Sequence, residues 1–192
     1  MFNELDAVRD RWDVLRHPFY TRWSRGELSA AELALYAGQY RHAVVALAEA
    51  AERAGSAHAA EERAHVALWD EFVAAVGGTT DAAPLPETAE CAEAWAGEGR
   101  DELASLGALY AIEAAQPAIS QTKLEGLRRF YDCDATSYFD VHAVRDVEHA
   151  AEGRDELAAR AGNGDAARLA GEAERVLRAN WTLLDGVERA IA

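Results

Sequence analysis

The chain has 192 residues, 50% of them hydrophobic and 28% charged, with a formal net charge of −15, which predicts one folded domain over 1–192 and excludes a disordered or fibrous chain. So acidic a surface argues against nucleic acid or a membrane as partner, and no run approaches the roughly 20 apolar residues of a membrane span. The opening MFNELDAVRDRW carries acids where a targeting peptide is basic and apolar, and Cys91 and Cys133 are too few for a disulfide scaffold or a structural zinc site, so a cytoplasmic protein with reduced thiols is expected.

Ala, Leu, Glu and Arg dominate, and only four prolines and 14 glycines interrupt them, which reads as all-α. A first helix is expected over 3–16, with Leu5, Val8, Trp12 and Leu15 on one stripe and His17-Pro18 ending it. After a short segment, Phe19 to Gly26, Ser29 and Glu32 have capping-box spacing and open a helix to about Gly55. A helix from His58 to Val76 stops at Gly77-Gly78, and TTDAAPLPET then has the composition of a loop. Further helices are expected over 88–96, 101–115, 117–131 with Pro117 in the first turn, 137–160 and 165–191. About seven helices should pack as one bundle, with Trp12, Phe19 and Trp23 in its core.

Two of the six histidines lie in His142-x-x-x-Asp146-x-x-His149. On a helix these three side chains leave within roughly 60° of one another, and a shuffled chain of this composition would contain such a pattern only roughly 0.03 times. The bland alternative is a polar helix face. In Glu61-Glu62-Arg63-Ala64-His65 either acid can share a face with His65, and Glu-x-x-His is the spacing on the ligand helices of ferritin-like di-iron bundles. Glu113 sits in an apolar turn with Leu109, Tyr110 and Ile112 and needs a partner, a metal or an arginine. Glu62 (or Glu61), His65, Glu113, His142, Asp146 and His149 together offer three carboxylates and three imidazoles. That set suits two iron ions with open positions for dioxygen, manganese being compatible with one position, whereas a zinc hydrolase needs only three ligands.

At these residues the chain resembles the heme-oxygenase-like diiron oxidases and oxygenases, and within them the CADD-like self-sacrificing synthases of p-aminobenzoate. ALYAIEAAQPAISQTKLEGLRRFY and SYFDVHAVRDVEHAAE carry the resemblance most strongly, with HPFYTRWSRGELS, LYAGQYRHAV and HVALWDEFVAAVGG before them. It covers most of residues 12–155 and implies a heme-oxygenase-like (TenA/PqqC-like) seven-helix bundle, two irons without heme, and dioxygen as co-substrate. His65, Glu113, His142, Asp146 and His149 fall on family ligand positions. The first carboxylate does not transfer, because the stretch between His42 and His65 is shorter here and His58 replaces the acid seven residues before the histidine. Glu62 is taken on its i−3 spacing, with Glu61 as the alternative.

The resemblance also gives a meaning to Lys123, the only lysine of the chain. In CADD-like proteins a lysine ten residues after the helix glutamate is implicated as the amino source, and Lys123 follows Glu113 by ten. The consumed tyrosine falls on Tyr20, and Tyr138 matches a second tyrosine near the metals. Arginine cannot replace an amine that must lose its proton; the residue-level alternative is a salt bridge to Glu125 or Asp134. Such an enzyme needs an external reductant and acts on its own tyrosine, or else on an external small amine, amino acid or carboxylic acid; a homodimer is compatible with the sequence. Two other classes stay open, a metal-free TenA/PqqC-like protein and a helical interaction protein, although a TenA-like enzyme would need a cysteine near Ile112-Glu113.

Overall fold

Local signals at the helix ends set the element boundaries in the computed structural model, which describes residues 1–162 and 164–191. The α-helices are α1 (Phe2–Arg11), α2 (Pro18–Trp23), α3 (Ala30–Arg53), α4 (Ala59–Ala75), α5 (Pro86–Ala96), α6 (Glu102–Glu113), α7 (Gln116–Gly126), α8 (Ser137–Arg160) and α9 (Ala166–Ile191). Among the described residues there is no strand, in line with the all-α reading. Ser29 and Glu32 close the expected capping box at the start of α3, Asp101 caps α6 by accepting from the Ala104 N–H, and Pro117 lies in the first turn of α7. Gly97, at φ 66°, ends α5 in the left-handed conformation that glycine adopts without steric cost.

Three boundaries differ from expectation. The helix expected over 3–16 breaks after Arg11, because Asp13 takes an extended conformation, accepts a hydrogen bond from the Leu15 N–H and starts a separate 3₁₀ turn, Val14–Arg16. The segment after it is itself helical: His17 caps α2 through Nδ1, which accepts from the Phe19 N–H. The helix expected over 117–131 stays α-helical only to Gly126 and widens into a π-helical turn, Leu127–Tyr131, that ends at Asp132 with φ 45°.

α6 is the centre of the molecule. It is buried at every residue from Ala104 to Glu113, as befits a helix apolar on all sides, and packs against α3, α8 and α9. α9 turns one stripe, Leu169, Ala173, Val176, Leu177, Leu183, Leu184 and Val187, onto α1, α5 and α6. α4 lies against α3 and α8, and α7 against α8. Phe19 and Trp23 are in the core as expected, but Trp12 is only half-buried, its Nε1 donating to Glu174 Oε1 at 3.3 Å. No described helix is long and apolar enough to cross a membrane.

Candidate metal centre and the buried lysine

The i, i+4, i+7 spacing of α8 turns His142, Asp146 and His149 inward, each no more than 2% exposed. α4 brings Glu62, 2% exposed, and His65 to the same place. Glu113 arrives from the C-terminal end of α6, 3% exposed, where the negative end of the helix dipole adds to the cost of a carboxylate. All six expected ligand residues therefore meet between three helices. The two acids of α4 take different directions: Glu62 points inward, while Glu61 is 46% exposed and pairs with Arg145 at 3.2 Å.

Glu62 is the hinge of the cluster. Its Oε1 lies 3.5 Å from His65 Nδ1 and 3.8 Å from His149 Nδ1, and its Oε2 lies 3.6 Å from His142 Nε2. Ligand atoms of Glu62, His65 and His142 lie within 4.8 Å of one another, and so do those of Glu62, Glu113 and His149. Asp146 Oδ1 stands 3.5 Å from His149 Nδ1. Two three-ligand groups thus share one carboxylate, which can face an ion with each oxygen.

Donor chemistry and spacing fit metal ions. The Nδ1–H of His142 donates to the Tyr138 carbonyl at 2.7 Å, so in the neutral ring Nε2 carries the lone pair, the arrangement that orients a metal-ligating imidazole. Of 14 buried side-chain polar atoms without a hydrogen-bond partner among the described residues, eight belong to these six residues, including both oxygens of Asp146 and both ring nitrogens of His149. Orphans at this density are costly unless something else satisfies them. Separations of 3.5–3.8 Å are too long for hydrogen bonds but near the roughly 3–3.5 Å between two ligands each about 2.1 Å from one ion.

Electrostatics point the same way. Burial, then the neighbouring Asp146 and Glu62, raise the Glu113 carboxyl well above the usual range. Burial also raises Asp146, against the contact of His149. Against the effect of burial, Glu62 is held down at about 2 by the neighbouring imidazoles of His142 and His65. His142 rises despite burial through Glu62, and His149 rises first through its Asp146 contact. Among the described residues no arginine or lysine pairs with the three crowded carboxyls, Glu113 included, and added cations would relieve the repulsion.

Lys123 is 1% exposed and forms no ion pair with Glu125 or Asp134. Its Nζ stands 4.5 Å from the ring centre of Tyr40, 5.2 Å from Trp69, 5.3 Å from Phe139, 5.5 Å from Tyr36 and 5.8 Å from Tyr20. Burial lowers its pKa to about 7. The cage and the metal cluster share walls: Tyr138 stacks on the His142 ring at 3.9 Å and meets Trp69 edge-on at 4.9 Å. The Tyr20 hydroxyl is 3.0 Å from that of Tyr36, and burial, then Tyr40, keep the Tyr20 phenol protonated.

Tyr36, Tyr40, Trp69 and Phe139 were not singled out from the sequence, although each lies one helical turn from another residue of the cage or cluster: Tyr36 and Tyr40 on α3, Trp69 four after His65, Phe139 three before His142. His58, noted only as replacing an acid, stacks on His149 at 4.0 Å. Burial raises the Cys91 thiol, the opposite of an activated nucleophile.

A family described as iron-containing redox enzymes matches residues 42–181. A 4-aminobenzoate synthase of Chlamydia muridarum is 30% identical over 78% of this chain and 74% of its own length, and one of Nitrosomonas europaea is 30% identical over 76% and 73%. Among solved structures, a heme-oxygenase-like domain of unknown function from Shewanella denitrificans superposes with a TM-score of 0.80 at 20% identity, covering 97% of this chain and 90% of that one. A CADD-like protein of unknown function from Nostoc punctiforme gives 0.62 at 16% identity, covering 98% and 99%. By the matched length, the relatives and the shared fold, the chain belongs to the heme-oxygenase-like family of iron-containing redox enzymes.

Proposed function

We propose that this chain is a non-heme two-iron enzyme that uses dioxygen to convert its own Tyr20 into 4-aminobenzoate, with Lys123 as the amino source. The observation that carries the reading is the placement of the single lysine: a buried amine with a pKa near 7, 5.8 Å from the Tyr20 ring, in a cage whose wall continues to a cluster of six metal-capable side chains. Glu62, His65, Glu113, His142, Asp146 and His149 would hold the ions, which when bound supply the oxidising power drawn from dioxygen and an external reductant. The rest is the work of the chain. Tyr138, stacked on His142, and Trp69 form a row of rings from the ligands to Tyr36 and Tyr20 along which an electron can pass. The 3.0 Å contact between the Tyr36 and Tyr20 hydroxyls holds the Tyr20 phenol in place at the end of that row. The ring-lined cage lowers the Lys123 pKa to about 7, so that the free amine is available near neutral pH, and keeps it close to the ring, giving the pair the advantage of an intramolecular reaction.

Anaerobic loading with Fe(II), addition of a reductant and exposure to oxygen should release no more than about one equivalent of 4-aminobenzoate per chain, the limit of a reaction that consumes its own residue. Nitrogen-15 from labelled lysine should enter the product, mass loss should localise to the Tyr20 peptide, and Lys123→Arg should abolish product while metal stays bound. An intact Tyr20 with repeated turnover of an added substrate would favour the second reading, oxidation of an external small carboxylic acid. That reading has one observation on its side, a groove of about 390 Å³ that reaches Asp146 between Arg9 and Arg154.

A further inference from the structure

The cluster has an outer face that the proposed reaction leaves unused. His58, seven residues before His65, stands at the start of α4, and one ligand atom each from His58, Glu61 and His149 lie within 4.8 Å of one another. We infer that these three residues form an outer binding site for a divalent metal ion, from which the ion passes to the buried centre. The inference rests on the metal-centre reading above and concerns how the ions arrive.

His149 belongs to both places. Its Nε2 lies 3.8 Å from Glu61 Oε2 on the outer side, and its Nδ1 lies 3.8 Å from Glu62 and 3.5 Å from Asp146 on the inner side. Neither nitrogen has a hydrogen-bond partner, so one imidazole can ligate through one nitrogen and then the other. His58 is prepared in the same way: its Nε2 contacts Glu152 Oε2 at 2.5 Å. The carboxylate holds the proton on Nε2 and frees Nδ1, which stands 3.9 Å from Glu61 Oε1, the carboxylate–histidine arrangement that supports metal ligands. Glu61 can turn from Arg145 without stranding its charge, because Arg145 also pairs with Glu148 at 2.5 Å.

Charge separates this approach from the other opening. Glu61, Glu148 and Glu152 against Arg145 give the outer face a local net charge of −2, which draws in cations. The groove that reaches Asp146 sets Arg9 and Arg154 against that one carboxylate in its wall and lacks the negative charge that draws cations to the outer face. The inner ligands are at most 2% exposed on α8 and at Glu62, so an entering ion must exchange water for protein ligands in stages, and the outer triad supplies a first partial shell while the ion keeps some of its water.

Cobalt(II) alone is the probe, since its visible absorption reports ligation without any reaction with oxygen. The metal-free wild type should take up two cobalt ions tightly, each through an early, weakly bound phase, with uptake followed by stopped-flow absorption. His58→Ala and Glu152→Gln should each slow filling of the tight positions about tenfold or more and abolish or weaken the early phase, while two ions per chain remain at equilibrium. Unchanged uptake rates in both variants would overturn the inference and leave the buried centre standing. Loss of a tight ion in His58→Ala would also overturn it, by making His58 an inner ligand. A wild type that takes up no cobalt overturns the inference together with the centre on which it rests.

Discussion

Lys123 is the residue at which burial and chemistry conflict most sharply. An ammonium in a ring-lined cage gains cation–π attraction but loses its water, and the second effect wins, lowering its pKa from 10.5 to about 7. Between those values the folded chain binds fewer protons than the unfolded one, so this group's contribution to stability rises with pH across the window. Below about pH 7 the full cost of burying the charge is present, on the order of a few kcal/mol. Lys123→Met should therefore stabilise the protein by a few kcal/mol at pH 6, and denaturant titrations should show the gain shrinking toward pH 10; an equal gain at both ends would mean that burial leaves the Lys123 pKa unshifted. Product formation should likewise rise as pH increases through about 7, because only the free amine is nucleophilic. Glu62 makes the second prediction at this scale. As the acid shared by two ligand groups, Glu62→Gln should lower bound metal toward zero, whereas His65→Ala, which belongs to one of the groups, should leave about one ion per chain by elemental analysis.

At the scale of the element, close approach matters more than propensity. A Cβ on Gly126 would lie 2.3 Å from Trp23 Nε1, so the missing side chain lets α2 rest on the end of α7. Trp23 Nε1 then donates to the Lys123 carbonyl at 3.4 Å, tying the backbone of Lys123 to the helix that carries Tyr20. Gly126→Ala should cost about 1–3 kcal/mol, as overpacking does, and should cut 4-aminobenzoate yield by displacing Tyr20 from Lys123 although neither residue is changed. Full yield after a clear fall in melting temperature would show that the pair tolerates this displacement. Helix ends tell how much was legible beforehand. The Ser29 box and the Asp101 cap are contacts within one turn and follow from residue order, whereas the break at Asp13 depends on a side chain competing for its own backbone, which the apolar stripe through Leu15 conceals.

For the whole molecule the consequence is a trade between stability and readiness to bind. α4, α6 and α8 each carry acids into one buried space, and the apo fold bears the repulsion that raises Glu113 and Asp146. An ion that binds only the folded state stabilises it by about 2.7 kcal/mol at a hundredfold excess over its dissociation constant, which for a chain of this size is about 5–10 °C in melting temperature. Chelation should lower the melting temperature by that order, and cobalt or zinc should restore it without supporting product formation. Equal melting temperatures with and without metal would mean that the cluster is not a metal site.

The sequence by itself determined whatever lies within one helix. The inward turn of His142, Asp146 and His149 follows from 3.6 residues per turn, Glu113 declares itself as an acid in an apolar helix, and a lone lysine marks itself by composition. What lies between helices was decided only by the tertiary structure. Glu61 and Glu62 are adjacent on α4 and both one turn from His65, so the spacing cannot choose between them; the packing of α4 against α8 does, turning one to the ligands and the other to Arg145. The cage around Lys123 is assembled from α2, α3, α4, α7 and α8, and the two faces of His149 exist only because α4 lies across it. Periodicity fixes direction about a helix axis, but which directions meet depends on how the helices pack.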